Sequence, residues 1–235
     1  MNKTAYITGG SKGIGLGVAK AMLAKGMNVA ITGRNRESLN VAIEVLNKVG
    51  NGEILAIESD VRDYESEKNA IGQVLKKWGT LDVVIANAGV GKFASIEDMS
   101  LEDWNSVIDI NLTGVFHTVK ASIPSMRESK GYIITIASLA GTNFFKKGSA
   151  YNASKFGLVG FTQAIMMDLR QYGVRVTTIM PGSVATYFNG HVPSNEDSWK
   201  IQPEDIGQMI VDLLKMNPRT LPSKIEIRPS IPPGK

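Results

Sequence analysis

The chain has 235 residues, of which 43% are hydrophobic and 20% charged, with 24 glycines and a formal charge of +4. The lack of cysteine excludes disulfides, thiolate nucleophiles and cysteine-held metal centres, and with only His117 and His191 present a multi-histidine site is excluded too, so no metal is expected. Basic residues are spread along the chain rather than gathered in a tract, which disfavours nucleic acid as a partner, and no apolar run approaches the roughly 18 residues of a membrane span.

In chain order, Met1-Asn2-Lys3 leads into a short apolar stretch that ends in glycines, with no sign of a signal peptide, and a cytoplasmic protein is expected. β-Rich runs fall at 4–8, 28–32, 53–57, 81–86, 131–137, 175–180 and 224–227. Segments with helical periodicity lie between them at 15–25, 36–49, 64–78, 101–126, 151–172 and 203–216. Strands alternating with helices predict a parallel sheet with right-handed crossovers and helices on both faces. Runs such as Val83-Val84-Ile85 and Ile133-Ile134 are apolar without alternation, as strands covered on both faces are. No linker, repeat or composition break divides the chain, so one doubly wound α/β domain over 1–235, with about seven strands, is the expectation. In such sheets ligands bind beyond the carboxyl ends of the strands, where the strand order reverses.

After the first strand comes Thr8-Gly9-Gly10-Ser11-Lys12-Gly13-Ile14-Gly15, running straight into a helix. Glycines let a backbone turn sharply and approach a pyrophosphate, and the helix start favours negative charge. A tight turn with no ligand is the competing reading. The second strand ends Ile31-Thr32-Gly33-Arg34, with no acid before Glu37 to hold the ribose hydroxyls of NAD. Arg34 can instead pair with a 2′-phosphate, with Lys12 as a second cation, so NADP(H) is the expected cofactor unless both are merely solvated cations. Asp60-Val61 follows the third strand and Asn87-Ala88-Gly89 the fourth; an Asp there can accept from an adenine amino group, and small residues let the backbone pass close to a sugar. The fifth strand runs into Ser138, and the next helix carries Tyr151 and Lys155, four apart and so on one face. An ammonium beside a phenol favours the phenolate, which predicts a lowered Tyr151 pKa suited to acid–base work. Tyr64 and Lys68 share the spacing, but the run Tyr64-Glu65-Ser66-Glu67-Lys68 reads as a solvated helix face.

These motifs, in this order, resemble the short-chain dehydrogenase/reductase superfamily over nearly the whole length. The resemblance implies a Rossmann fold and hydride transfer between NADP(H) and a small-molecule carbonyl or alcohol. Gly9, Ser11, Lys12, Gly13, Ile14 and Gly15 would form the cofactor loop, with Asp60 and Val61 at the adenine and Asn87, Ala88 and Gly89 as the sheet-stabilising motif. Ser138, Tyr151 and Lys155 fall on the catalytic serine, tyrosine and lysine, and Asn111 in Asp109-Ile110-Asn111 on the asparagine of the proton relay, where it would bind a water. Pro181, Gly182, Val184 and Thr186 lie in the segment similar to the one that holds the nicotinamide carboxamide, and a short substrate lid is expected around 183–202. The chain departs from the pattern at Ala86, where many members have an asparagine, and in its short tail near Pro229 and Pro232-Pro233-Gly234-Lys235. A 3-oxoacyl thioester reductase and a non-catalytic NADP sensor are the alternatives. Apolar residues on several helix faces (Val115, Phe116, Val119; Phe156, Leu158, Phe161) predict a homo-oligomer, dimer or tetramer.

Overall fold

Along the central strands, successive side chains enter two different cores, which is why these runs lack polar alternation. In β1 (Thr4–Ile7) Ala5 and Ile7 enter one core and Tyr6 the other; β2 (Asn28–Gly33) divides Val29 and Ile31 from Ala30 in the same way. With β3 (Ile54–Glu58), β4 (Val83–Ala86), β5 (Tyr132–Ile136), β6 (Arg175–Pro181) and β7 (Lys224–Ile227) they form one parallel sheet in the order β3-β2-β1-β4-β5-β6-β7. The computed structural model describes residues 2–232; Met1 and, in the tail, Pro233-Gly234-Lys235 lie outside the described residues.

Helices α1 (Gly13–Leu23) and α2 (Arg36–Leu46) cover the first core, together with the last helix at Pro203–Lys215. The second core lies under α3 (Tyr64–Trp78), under the rod that follows β4, and under the helix at Ser149–Leu169. The rod was expected as one helix over 101–126. It is instead α4 (Leu101–Ile108), a π-helical turn over Asp109–Thr113 in which Gly114 N–H bonds the Asp109 carbonyl, and α5 (Gly114–Ser129). The helix at Ser149–Leu169 is α6 and that at Pro203–Lys215 is α7. Tyr151 therefore lies within the first turn of α6 rather than at its first residue.

One sequence reading fails. Glu65 and Lys68 do form an exposed pair at 3.3 Å, but Glu67 is fully buried. It shares a helix face with Ala70, Ile71 and Val74, which puts it against the sheet. There its carboxylate accepts from Ser59 Oγ and Thr118 Oγ1, both at 2.7 Å, and from Tyr6 Oη at 3.1 Å. Burial pushes the Glu67 carboxyl up, and the hydroxyl donors hold it back. The acid thus ties β1, the end of β3, α3 and α5 together directly behind Asp60.

Candidate active site

The strand order reverses between β1 and β4, and a cleft of about 1100 Å³ opens there along the carboxyl ends of the strands. Gly9 and Gly13 turn the loop after β1 through left-handed backbone angles, φ +63° and +55°. At Gly15 a Cβ would lie 2.4 Å from the Gly9 carbonyl and 2.7 Å from Asn87 Nδ2, so the loop closes onto the helix only with glycine there. Helices α2, α3 and α4 are capped by the side chains of Asn35, Asp63 and Ser100, whereas α1 has no side-chain cap. Its first residues, Gly13 and Ile14, line the cleft, and an uncapped helix start there fits the diphosphate of a dinucleotide.

Asn87 locks the ends of β1 and β4 together. Its Nδ2 donates to the Thr8 and Gly9 carbonyls at 2.9 and 3.1 Å, while Thr8 Oγ1 accepts from Asn87 N and Ala88 N. Arg34 and Lys12 stand exposed on the cleft wall. Asp60 also lines it, but its carboxylate is held by the Arg62 guanidinium, with Nε 3.0 Å from both oxygens. That pairing keeps the Asp60 carboxyl below its ordinary range, and Arg62 went unnoticed in the sequence.

At the other end, Ser138 leaves β5 with extended backbone, its Oγ accepting from Ala140 N at 3.1 Å. Tyr151 and Lys155 reach the same cleft from successive turns of α6. Lys155 Nζ donates to the Ile136 carbonyl at 3.0 Å and lies 5.7 Å from the centre of the Tyr151 ring. Burial pulls Lys155 down from 10.5 to about 8. It pushes the Tyr151 phenol up, a rise that the neighbouring Ser138 hydroxyl partly offsets. The expected depression of the phenol is thus not what the structure has: burial raises it, and the Ser138 hydroxyl only partly opposes the rise.

Asn111 is buried behind this trio, not on the cleft wall. Its Nδ2 donates to the Val90 carbonyl at 2.9 Å and to Ser154 Oγ at 3.1 Å, and its Oδ1 accepts from Val90 N at 2.8 Å. The side chain is engaged in fixing the backbone after β4. A Cβ on Gly89 would sit 3.4 Å from Asn111 Oδ1 and 3.7 Å from Lys155 Nζ, which shows how closely that backbone approaches the lysine. Asn152 does a similar service on the facing loop, donating to the Ala140 and Asn143 carbonyls at 2.8 Å each. Sequence reading missed it, since a polar residue beside Tyr151 carries no periodic signal.

The segment after β6 closes over the glycine loop. Gly182 N donates to the Ile227 carbonyl, and a Cβ at Gly13 would lie 3.3 Å from Thr186 Cγ2. The excursion expected as a lid is tied at its base by Ala185 N to Ile201 O and Ile201 N to Ser183 O, at 2.9 and 3.1 Å. Its far part gathers on the buried Asp197 carboxylate, which takes Lys200 and His191 and accepts from Ser194 N. Lys200 first, then His191, holds that carboxyl far below the usual range. Among the described residues no group of three or more metal-ligating side chains occurs, and no helix is long and apolar enough to cross a membrane.

A sequence profile of the short chain dehydrogenase family matches residues 3–197. The trans-4-hydroxycyclohexanecarboxylate dehydrogenase of Sinomonas cyclohexanicum is 35% identical over 223 residues, covering 90% of this chain and 85% of that protein. An uncharacterized oxidoreductase of Staphylococcus aureus is 33% identical over 97% of both chains. Among solved structures, the alcohol dehydrogenase of Thermococcus sibiricus complexed with 5-hydroxy-NADP superposes over the full length of both chains with TM-score 0.93 and 28% identity. A variant of actinorhodin polyketide ketoreductase with NADPH superposes with TM-score 0.88 and 26% identity, covering 97% and 96% of the two chains. Strand order, the glycine cradle at the switch point and full-length kinship agree: the chain belongs to the short-chain dehydrogenase/reductase family of oxidoreductases.

Proposed function

We propose that this oxidoreductase is an NADPH-dependent carbonyl reductase, or alcohol dehydrogenase in reverse, acting on a ketone or secondary alcohol. The observation that carries the reading is the convergence of Ser138, Tyr151 and Lys155 on one end of a cleft whose other end is a glycine cradle flanked by the exposed cations Lys12 and Arg34. Bound NADPH supplies the hydride. Tyr151, kept protonated by burial, delivers a proton to the carbonyl oxygen, and Ser138 donates a hydrogen bond to the same oxygen as negative charge develops there. Lys155 lies beside the phenol and would also hold the nicotinamide ribose, while Asn111 and Gly89 set the backbone against it. The α1 N-terminus would hold the diphosphate, Asp60 and Val61 would border the adenine, and Arg34 and Lys12 would take the 2′-phosphate.

The name of the Sinomonas relative contains a ring-borne secondary alcohol, which supports the reaction class. The exposed Phe116, Phe156 and Met167 of α5 and α6 support a homo-oligomer paired through those helices. The test is loss of NADPH absorbance when purified protein is offered ketones and, separately, acetoacetyl thioesters. Tight NADPH binding with no turnover of any carbonyl refutes the enzyme reading in favour of a sensor; exclusive turnover of thioesters replaces it with the acyl reductase.

A further inference from the structure

Three phenylalanines from three separate loops cluster beside Tyr151, and two of them, Phe93 and Phe188, lie against its ring. Phe93 follows β4, Phe145 precedes α6 and Phe188 belongs to the excursion after β6. Phe93 is their centre: its ring lies 5.5 Å from that of Tyr151, 5.7 Å from Phe145 and 6.3 Å from Phe188, all steeply inclined, as edge-on aromatic contacts are. Phe188 closes the ring of contacts at 5.6 Å from Tyr151.

The cluster is held from behind. The Phe188 ring rests so close on Gly91 that a Cβ there would lie 2.5 Å from it. Ala94 N donates to the Lys147 carbonyl at 3.1 Å, joining the loops of Phe93 and Phe145, and a Cβ on Gly148 would lie 2.7 Å from the Phe145 ring. Yet each phenylalanine keeps 37–47% of its surface exposed. An organised aromatic surface of this kind, adjoining the proton donor, is suited to a partner that covers it.

Charge narrows the partner. Of the cations lining this end of the cleft, Lys92 is matched with Asp103 at 3.2 Å and His191 and Lys200 with Asp197, while Lys155 is held on the Ile136 carbonyl and is given to the nicotinamide ribose in the proposed function. At the far end, Lys12 and Arg34 stand exposed without an ion pair among the described residues. We infer that Phe93, Phe145 and Phe188 select the substrate, and that it is an uncharged compact ring ketone, alicyclic or aromatic, seated on these rings with its carbonyl towards Tyr151. The inference rests on the carbonyl-reductase reading and adds the substrate class to it.

The test compares kcat/KM with NADPH for cyclohexanone, acetophenone, an open-chain ketone of equal carbon number, a ring ketone bearing a carboxylate, and an acetoacetyl thioester. The neutral ring ketones are expected to lead the others by about tenfold or more. Phe93→Ala and Phe188→Ala should each lose about tenfold on ring ketones, mainly through KM, and bring them near the open-chain level while NADPH affinity stays within about twofold. Phe188→Leu, which keeps apolar bulk, should recover most of the loss, and thermal melts check that the variants are folded. Preference for the open-chain ketone, the carboxylate or the thioester in the parent overturns the inference, as does an equal loss on all substrates in the variants. Failure of every carbonyl while NADPH binds overturns the underlying reading instead.

Discussion

The two ends of the cleft recognise by opposite physics. Beyond β1, β2 and β3 the groups are ionic: Lys12 and Arg34 in solvent, the half-buried Asp60 paired with Arg62. Beyond β4 and β5 they are buried and stapled, with Lys155 on the Ile136 carbonyl, Asn111 on Val90 and Asn152 on the following loop. Affinity at the first end is screened by salt and open to redesign by single residues. Reactivity at the second depends on desolvation and is bound up with the stability of the fold.

The comparison breaks most sharply at Tyr151. Tyr151→Phe should lower kcat by about 10²–10⁴-fold while NADPH binding, measured by fluorescence titration, stays nearly unchanged. A rate within about threefold of the parent would remove the phenol from the mechanism.

Lys155 tests the link between desolvation and stability. Its ammonium releases its proton near 10.5 when solvated and at about 8 in the folded protein. Between those values the unfolded chain binds more protons, so stability rises with pH from about 8 to 10.5; below about 8 both states are charged and the deficit is constant. Lys155→Met removes the deficit. It should therefore be more stable than the parent at pH 7, by about 2 kcal/mol after loss of the bond to Ile136, with the gap closing towards alkaline pH. It should also lose rate and cofactor affinity. Urea unfolding at neutral and alkaline pH decides; a variant less stable than the parent at neutral pH contradicts the burial argument.

At the ionic end, Arg34→Ala should lower kcat/KM for NADPH by about 10- to 100-fold and leave NADH unaffected, with the parent's preference shrinking as salt is added. Gly33→Asp has room, since a Cβ there would stand 3.6 Å from Ser11 Oγ and Leu39, and combined with Arg34→Ala it should reverse the preference. Equal use of both cofactors by the parent at low salt would refute the assignment. The smallest effect belongs to neither end: breaking the exposed Lys20–Glu204 pair between α1 and α7 by Lys20→Ala should change stability by about 0–1 kcal/mol and leave both cofactor constants alone.

The strand ends were legible in the sequence because parallel strands there are continuous apolar runs and the glycine loop is local in sequence. All seven strand runs map onto strands, with ends shifted by a residue or two. Glu67 was not legible, since a buried acid looks like a solvated one until the hydroxyls of Tyr6, Ser59 and Thr118 are seen to meet it from distant segments. Phe93 was passed over for the same reason, its partners lying on loops about fifty and ninety-five residues away. The direction of the Tyr151 shift was misjudged because spacing reports that a lysine is near but not how dry the site is.

The π-helical turn at Asp109–Thr113 sets the phase of the rod that contains it. An α-helix advances about 100° per residue, so one residue more or less between two halves turns one face away from its partner. Here the half before the turn packs on α6 and the half after it on α3. Deleting a single residue within 109–113 would restore a regular helix and rotate one half by about that angle, and one of the two contacts would have to give way. Apart from Asn111, whose side chain is tied to Val90 and Ser154, the stretch should therefore tolerate exchange of side chains far better than any change in their number.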